Sequence, residues 1–364
     1  MPTIRGIHVP KESNVKNYII NGDMAIAQRA TAGSAVWTAI ADNTYSLDRL
    51  IYQKTGAMVH TLSQDTDVPT LAQAGYLFQN SLRLNLTTAD TSIAAIDYCV
   101  IDQRIEGYNF AQIAQKPFTL SFWVKATLTG TYCVSFVNSG NDRSYIAEYT
   151  INSSATWEKK TITVTASPSA GTWNYTNGKG VTIYWTLACG STFQTTSNSW
   201  QTGNFIATAN QVNGVNTGAT DFRITGVMLN EGTVAAPFQL FGGSIDGEIE
   251  ACQRYYEKSY NQGIAPGTDG HEYLTGGVGF ATNVLNSDMV FKALKRATPT
   301  ATIYAYDGTS GSVSLYDAAG NMGATGCGPN KIGTSQLSGI RRTGGTAFTV
   351  NQSYWFHWVA ESEL

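Results

Sequence analysis

Apolar and polar residues alternate one for one along several stretches of this chain, the pattern of a β-strand with one buried face. In 82–86, Leu82, Leu84 and Leu86 share a side. In 118–125, Phe118, Leu120, Phe122 and Val124 face one way, and Thr119, Ser121, Trp123 and Lys125 the other. Residues 181–187 set Val181, Ile183, Trp185 and Leu187 against Thr182, Tyr184 and Thr186. Turn-forming clusters at 138–142, 167–172 and 176–180 separate such runs, the spacing of an antiparallel sandwich. The pattern predicts a mainly β protein whose residues 17–243 form a jelly-roll-like β-sandwich.

A different period interrupts it once. Ile245, Ile249, Cys252 and Tyr256 recur at steps of four, three and four, which places them on one helical face. Ser244 suits the N-cap, Asp246 and Glu248 the first turn and Lys258 the last, with Gly263 as the stop. A connecting helix is therefore expected within 244–262, spanning Ser244 to Tyr260. Beyond it, 263–364 reads as a small antiparallel β domain. There Ile303 opposes Tyr304 and Tyr306, and the closing strand sets Tyr354, Phe356 and Trp358 against Trp355, His357 and Val359. Aromatic rings on both faces of that strand predict cover on both sides, as a subunit contact would supply. Residues 1–16 carry charges and prolines without periodicity and read as an extended arm.

Composition narrows the functional classes. The 364 residues are 13% charged and 11% aromatic, and 23 basic against 26 acidic side chains leave a net charge of −3. No basic block points to nucleic acid, and no apolar run has the length of a membrane span or a signal-peptide core. The five cysteines, Cys99, Cys133, Cys189, Cys252 and Cys327, are odd in number and scattered, which predicts reduced, buried thiols and assembly in a reducing cytoplasm.

Catalytic chemistry finds little footing. His8, His60, His271 and His357 are isolated from one another and from cysteines, so no metal site or cofactor is expected. Hydrolysis of a glycan needs two carboxylates across a sugar. Asp65 with Asp67, and Asp142, are the acidic loop residues to consider, although aspartates also occupy turns for backbone reasons. Sugar binding asks instead for aromatic faces flanked by amides and carboxylates. Loop 170–180 offers Trp173, Asn174, Tyr175 and Asn177, with folding of Trp173 onto the sandwich as the alternative. A second set is Tyr304, Tyr306, Asp307 and Tyr316 around a glycine-rich turn. Trp123 and Tyr184 lie on polar strand faces, whereas Trp157, Trp185 and Trp200 read as core.

Several segments together resemble a family of bacteriophage tail-fibre and receptor-binding proteins. The stretch NYIINGDMAIAQR (17–29) is similar to the family's opening strand, and YSLDRLIY (45–52) to its Asp-Arg strand, with Leu50 in place of the usual Trp. QRIEGYNF (103–110), PFTLSFWVKA (117–126) and TWEKKTITV (156–164) resemble strands shared with carbohydrate-binding modules, and CQRYYEKS (252–259) the family's joining segment. The resemblance implies a virion protein assembled in the host cytoplasm, a homotrimer with a carbohydrate-binding-like sandwich and a distal tip. Such a protein attaches the particle to host cell-surface polysaccharide without cutting it, and residues 1–16 dock it onto other virion proteins. A head fibre or capsid decoration protein, and a glycan depolymerase, are the alternatives.

Overall fold

The computed structural model describes residues 15–364 except 32–34, 219, 271–273 and 317–319. Residues 1–14 of the expected arm therefore lie outside the described residues, as do His8 and His271.

Two antiparallel sheets form the sandwich. The first orders its strands Val36–Trp37, Val59–Asp65, Ser81–Thr88, Asp221–Glu231, Phe118–Ala126 and Glu158–Val164. The second runs Trp200–Thr202, Arg143–Ile151, Gly130–Asn138, Lys179–Cys189, Tyr98–Glu106, Leu50–Thr55 and Thr44–Tyr45. The three alternating sets read from 82–86, 118–125 and 181–187 point into one core: Leu82, Leu84 and Leu86 with Phe118, Leu120, Phe122 and Val124 from one sheet, Val181, Ile183, Trp185 and Leu187 from the other. The outward-facing sets are covered too. Trp123 packs with Trp157 and Phe78, and Tyr184 packs against a small cluster of Val100, Cys133, Val137 and Ile146 that Phe193 and Phe205 of the loop after Cys189 also join. Trp200 is half-buried against the main core.

The segment 17–29 forms no strand. It is buried yet irregular, with Asn21 and Met24 both at φ 60°. Side chains satisfy its backbone instead. Ile19 N donates to Asn17 Oδ1 (3.0 Å), Ile20 N to Gln103 Oε1 (3.1 Å) and Gln28 N to Asp48 Oδ2 (2.7 Å), while Asn17 Nδ2 ties the segment to Val227 O (3.1 Å) and Gln239 O (2.8 Å). Asn21 Nδ2 donates to Ile26 O (2.9 Å) and Asp48 O (3.0 Å). Gly22 lies so near Val227 O that a Cβ would sit 2.3 Å from it.

The helix is shorter than its periodicity predicts. It spans Ile245–Gln253, capped by the Ser244 side chain, which accepts from Gly247 N. Tyr256–Lys258 is a strand paired with Ser353–Glu361. An available sheet edge outweighs helical periodicity over these residues. Lys258 thus closes no helical turn. It is buried, and its ammonium donates to Gln28 O (2.6 Å), Gln262 O (3.1 Å) and Ile264 O (2.6 Å).

The third sheet orders Tyr256–Lys258, Ser353–Glu361, Thr275–Ala281, Val284–Val290, Gln336–Arg341 and Gly328–Ile332. Thr300–Tyr304 and Ser314–Leu315 also pair with Ser353–Glu361. The closing strand is covered on both faces, as predicted, but by this chain itself. Tyr354, Phe356 and Trp358 enter the core of the sheet, and His357 stacks on Tyr260 at 3.8 Å. No subunit is required to bury it.

Sandwich and third sheet meet through an arginine-rich junction. Arg29 pairs with Glu361 (3.0 Å) and Glu363 (2.9 Å), its guanidinium 3.8 Å from the Tyr256 ring centre. Arg49, 1% exposed, pairs with Glu363, donates to Arg104 O (2.7 Å) and lies 3.6 Å from the Tyr255 ring centre. Arg254 grips Glu106 with two hydrogen bonds (2.8 and 2.6 Å), and Tyr255 O–H donates to the same carboxylate (2.6 Å). Tyr255 and Tyr256 are thereby buried within the chain and unavailable to a neighbouring subunit.

Candidate functional site

The sandwich ends in a platform built by two loops. Gly107–Phe110 is one short helical turn, and loop 170–180 lies on it. Gly107 N donates to Gly178 O (2.8 Å) and Tyr108 N to Thr176 O (2.8 Å). Only glycine permits this approach, because a Cβ on Gly107 would come 2.6 Å from Asn174 O and from Thr176 O. Phe110, fully buried, supplies the base. Trp173 stacks on it at 5.3 Å and 16°, and Tyr175 at 6.3 Å and 7°. Three rings thus lie nearly parallel, and Trp200 meets Trp173 edge-on at 5.7 Å.

Each residue singled out in this loop has a defined place. Trp173 is half-buried against the core, with its indole N–H donating to Ala170 O (3.0 Å), so it is largely a lid on the sandwich. Tyr175 is 37% exposed and Tyr108 beside it 56%. Asn174 Oδ1 accepts from Thr176 N (2.8 Å) and Oγ1 (3.1 Å), a local turn. Asn177 reaches across to the third-sheet unit, exchanging hydrogen bonds of 3.1 Å with the Arg296 backbone carbonyl and guanidinium. Asp142 anchors the start of the loop by accepting from Asn138 Nδ2 (2.6 Å), Thr172 N (3.1 Å) and Thr172 Oγ1 (2.9 Å). Those bonds, that from Asn138 foremost, hold its carboxyl below the usual range. Tyr108 escaped the sequence reading because EGYNF follows a strand without interruption in its pattern. The available signal was Gly107 followed by aromatics at 108 and 110.

The second predicted set is divided. Tyr304 pairs with His357 in register and stands edge-on to Tyr260 at 6.2 Å. Tyr306 is buried. Asp307 closes a turn, accepting from Thr309 N (3.0 Å) and from Asn321 N and Nδ2 (3.0 Å each). Its partial burial raises the carboxyl pKa, but the bonds from Thr309 and Asn321 outweigh this and bring it to about 2. Tyr316 is 51% exposed and meets Trp355 edge-on at 4.4 Å. Register places Tyr304 and Trp355 on the same face of the third sheet as His357, opposite the core-facing Ile303.

The acidic residues considered for hydrolysis lie apart. Asp65, at the end of Val59–Asp65, and Asp67 share Arg223 in an ion-pair network on the outer face of the first sheet, away from Asp142. Asp65 pairs with Arg83 (3.5 Å) and Arg223 (3.6 Å). Asp67 accepts from Lys125 (2.7 Å), Arg223 and Trp157 Nε1 (2.9 Å). Asp142 lies on the second sheet, between Gly130–Asn138 and Arg143–Ile151. Among the described residues, no three His, Cys, Asp or Glu side chains gather as metal ligands would. All five cysteines are buried and unpaired.

No protein-family model matches the chain, and no curated protein matches it. Among solved structures it is similar to the enzymatically active domain of tailspike protein 4 from bacteriophage CBA120. The identity is 16% and the TM-score 0.31, over 59% of this chain and 21% of that one. A putative sugar-binding protein from Bacteroides thetaiotaomicron is 11% identical, with a TM-score of 0.31, over 60% of this chain and all of the other. The family 11 carbohydrate-binding module from Clostridium thermocellum is 10% identical, with a TM-score of 0.29, over 56% of this chain and all of the module. This chain spans about a fifth of the tailspike structure and the full length of the other two. Likenesses this distant carry no inference about what it binds.

Proposed function

We propose that this chain is a non-catalytic phage virion protein, a tail fibre or spike, that attaches the particle to host surface polysaccharide. The observation that carries the reading is the platform at the end of the sandwich. Tyr108 and Tyr175 are exposed, and the Tyr175 ring is held parallel to the buried Phe110 by a hydrogen-bonded loop. Rigid aromatic faces beside amides suit the C–H faces and hydroxyls of a pyranose, and little ordering entropy is lost on binding. The carboxylates of Asp65, Asp67 and Asp142 are committed to ion pairs and turns, which supports binding without cleavage.

The homotrimer is part of this proposal, on a surface other than the closing strand. Val278 (45% exposed), Phe280 (73%) and Val290 (72%) project from the outer face of Thr275–Ala281 and Val284–Val290. Val278 and Phe280 are an adjacent apolar pair, and Val290 lies beyond the exposed Asn286 and Asp288 on the same face, so the proposed contact has an apolar centre with polar side chains around it. Sedimentation should give a trimer for the wild type and a monomer for Phe280→Asp/Val290→Asp. A monomeric wild type at micromolar concentration removes this part. Virion docking through residues 1–16 is tested by deletion, which should leave folded protein absent from particles.

The decisive measurement is adsorption of purified protein to host cells. Tyr108→Ala/Tyr175→Ala, with an unchanged melting temperature, should lose at least about ten-fold in affinity, the worth of one or two stacking rings. Undiminished adsorption would move binding off the platform. Release of oligosaccharides from host polysaccharide by the wild type would overturn the non-catalytic reading.

A further inference from the structure

Asn-Gly, the dipeptide whose backbone closes most readily on its own side chain, occurs three times in this chain, at 21–22, 177–178 and 213–214. Glycine has no Cβ to hinder the approach of its nitrogen to the preceding side-chain amide. The fold treats the three pairs differently. Asn21 is 0% exposed, and its amide is held by Ile26 O (2.9 Å), Asp48 O (3.0 Å) and Ile26 N (2.9 Å). Asn213 donates to Asp90 O (2.9 Å) and accepts from Val215 N (3.1 Å). Gly214 N, the atom that would attack it, donates to Leu187 O (2.8 Å).

Asn177 is exposed, in the loop that carries the platform. Its side chain makes one hydrogen bond among the described residues, from Nδ2 to Arg296 O (3.1 Å), which leaves Oδ1 unbound. Gly178 N donates to no acceptor among the described residues. Arg296 Nη1 donates to Asn177 O (3.1 Å). That oxygen belongs to the same peptide group as Gly178 N, so the guanidinium draws charge from the nitrogen and makes its N–H easier to deprotonate.

We propose that Asn177 is a site of spontaneous modification, converted to isoaspartate and aspartate with water as the co-reactant, and that the conversion unseats the platform. Hydroxide takes the Gly178 amide proton, and the nitrogen's electron pair forms a bond to Asn177 Cγ. The Cγ–Nδ2 bond then breaks, and Nδ2 leaves as ammonia after taking a proton from water. A second water opens the resulting succinimide at either carbonyl. Opening at the main-chain carbonyl gives isoaspartate, whose backbone runs through Cβ and Cγ and is longer by one methylene. The added length falls between Thr176 O and Gly178 O, the two carbonyls that accept from Tyr108 N and Gly107 N at 2.8 Å. Lengthening the backbone between them shifts these bonds out of register, and Tyr175 loses its alignment over Phe110. The effect on adsorption rests on the glycan-binding reading of the platform, whereas the chemistry at Asn177 stands apart from it.

The test is a peptide map of intact protein kept at physiological temperature in mildly alkaline buffer and sampled over days. The peptide holding Asn177 should gain one dalton, and an isoaspartyl methyltransferase should label it. Asn21 and Asn213 react only through local opening, so their peptides should convert at least about ten-fold more slowly. In urea, which removes the fold, all three should convert at similar rates. Asn177→Gln should stop the gain, since its longer side chain must close a six-membered ring. Arg296→Met should slow it, and Arg296→Lys should restore part of the rate. An unchanged or faster rate in Arg296→Met overturns the guanidinium's part. Native protein in which Asn177 converts no faster than Asn21 or Asn213 overturns the site. Host-cell adsorption of aged wild type should fall about ten-fold, while aged Asn177→Gln adsorbs as fresh protein does. Full adsorption by converted protein, with Tyr108→Ala/Tyr175→Ala still deficient, overturns the unseating alone. If that double variant also adsorbs fully, the platform reading falls instead.

Discussion

The junction between sandwich and third sheet, and the aromatic platform at the sandwich end, are opposite kinds of surface. Asn21, Gln28, Arg29, Asp48, Arg49, Arg254 and Tyr255 come from three of the segments that resemble phage fibre proteins, and they meet at or beside the junction. There Gln28 Nε2 donates to Asp48 Oδ1 (2.6 Å) and to Tyr256 O (2.9 Å), and the arginines bind Glu106, Glu361 and Glu363. Tyr108 and Tyr175 are exposed, and only Tyr108 lies in a segment that carries the resemblance, near the end of QRIEGYNF. Much of the recognisable wording of this chain thus describes how its two β units are fastened, and Tyr175 on loop 170–180 stands outside it. A binding surface tolerates change that a buried charged junction cannot, since an unpaired buried charge costs several kcal/mol.

The largest expected effect comes from breaking the junction. Arg49→Ala would leave the Glu363 carboxylate with Arg29 alone and empty the space over Tyr255, lowering unfolding stability by about 2–4 kcal/mol. Protein that remains folded should adsorb to cells as the wild type does. A urea midpoint that does not move would mean the junction is not what holds the units together.

Within the platform, two neighbouring rings should separate stability from binding. Trp173→Ala removes a ring packed on Phe110 and the core and should cost on the order of 2–3 kcal/mol of stability. Tyr175→Ala should cost under about 1 kcal/mol while adsorption falls about ten-fold. If the two variants exchange effects, Trp173 is the binding ring and the loop opens in solution.

A buried carboxyl in the second sheet contrasts with those of the junction. Asp102 is fully buried, its oxygens accept no hydrogen bond among the described residues although Arg104 Nε lies 3.5 Å away, and burial raises its pKa to about 7 despite Arg104 and Lys179. The folded state therefore keeps a proton that the unfolded state releases near pH 4. This stabilising contribution is complete below about pH 4 and is lost as pH rises to about 7. Asp102→Asn should flatten that fall and be more stable than wild type at pH 8 by on the order of 1–3 kcal/mol. Chemical denaturation at pH 4, 6 and 8 reads it directly, and identical pH profiles would contradict the assignment.

The smallest effect concerns the thiols, buried in both β units. Native protein should react slowly with a thiol reagent, because burial raises the pKa of Cys99 and Cys189 to about 12. Denatured, unreduced protein should release five equivalents, and three or fewer would reveal a disulfide.

Strand positions and their inward faces were legible in the sequence because side chains alternate along a strand whatever it pairs with. Phe118, Leu120, Phe122 and Val124 needed no tertiary information to be placed inside. The N-cap at Ser244 and the free cysteines were equally local matters. Three things were settled only by residues far apart in the chain. Segment 17–29 forgoes a strand because side chains, those of Asn17 and Asn21 within it and of Gln103 and Asp48 from elsewhere, accept from its backbone N–H groups. Tyr256–Lys258 leaves the helix because Ser353–Glu361 offers an edge about a hundred residues later. Trp173 lies down while Tyr175 stays exposed because Phe110, on another loop, provides the surface that ranks them. Alternation determines which residues are inside, and contacts across the fold decide which polar groups are satisfied and which rings remain open to a ligand.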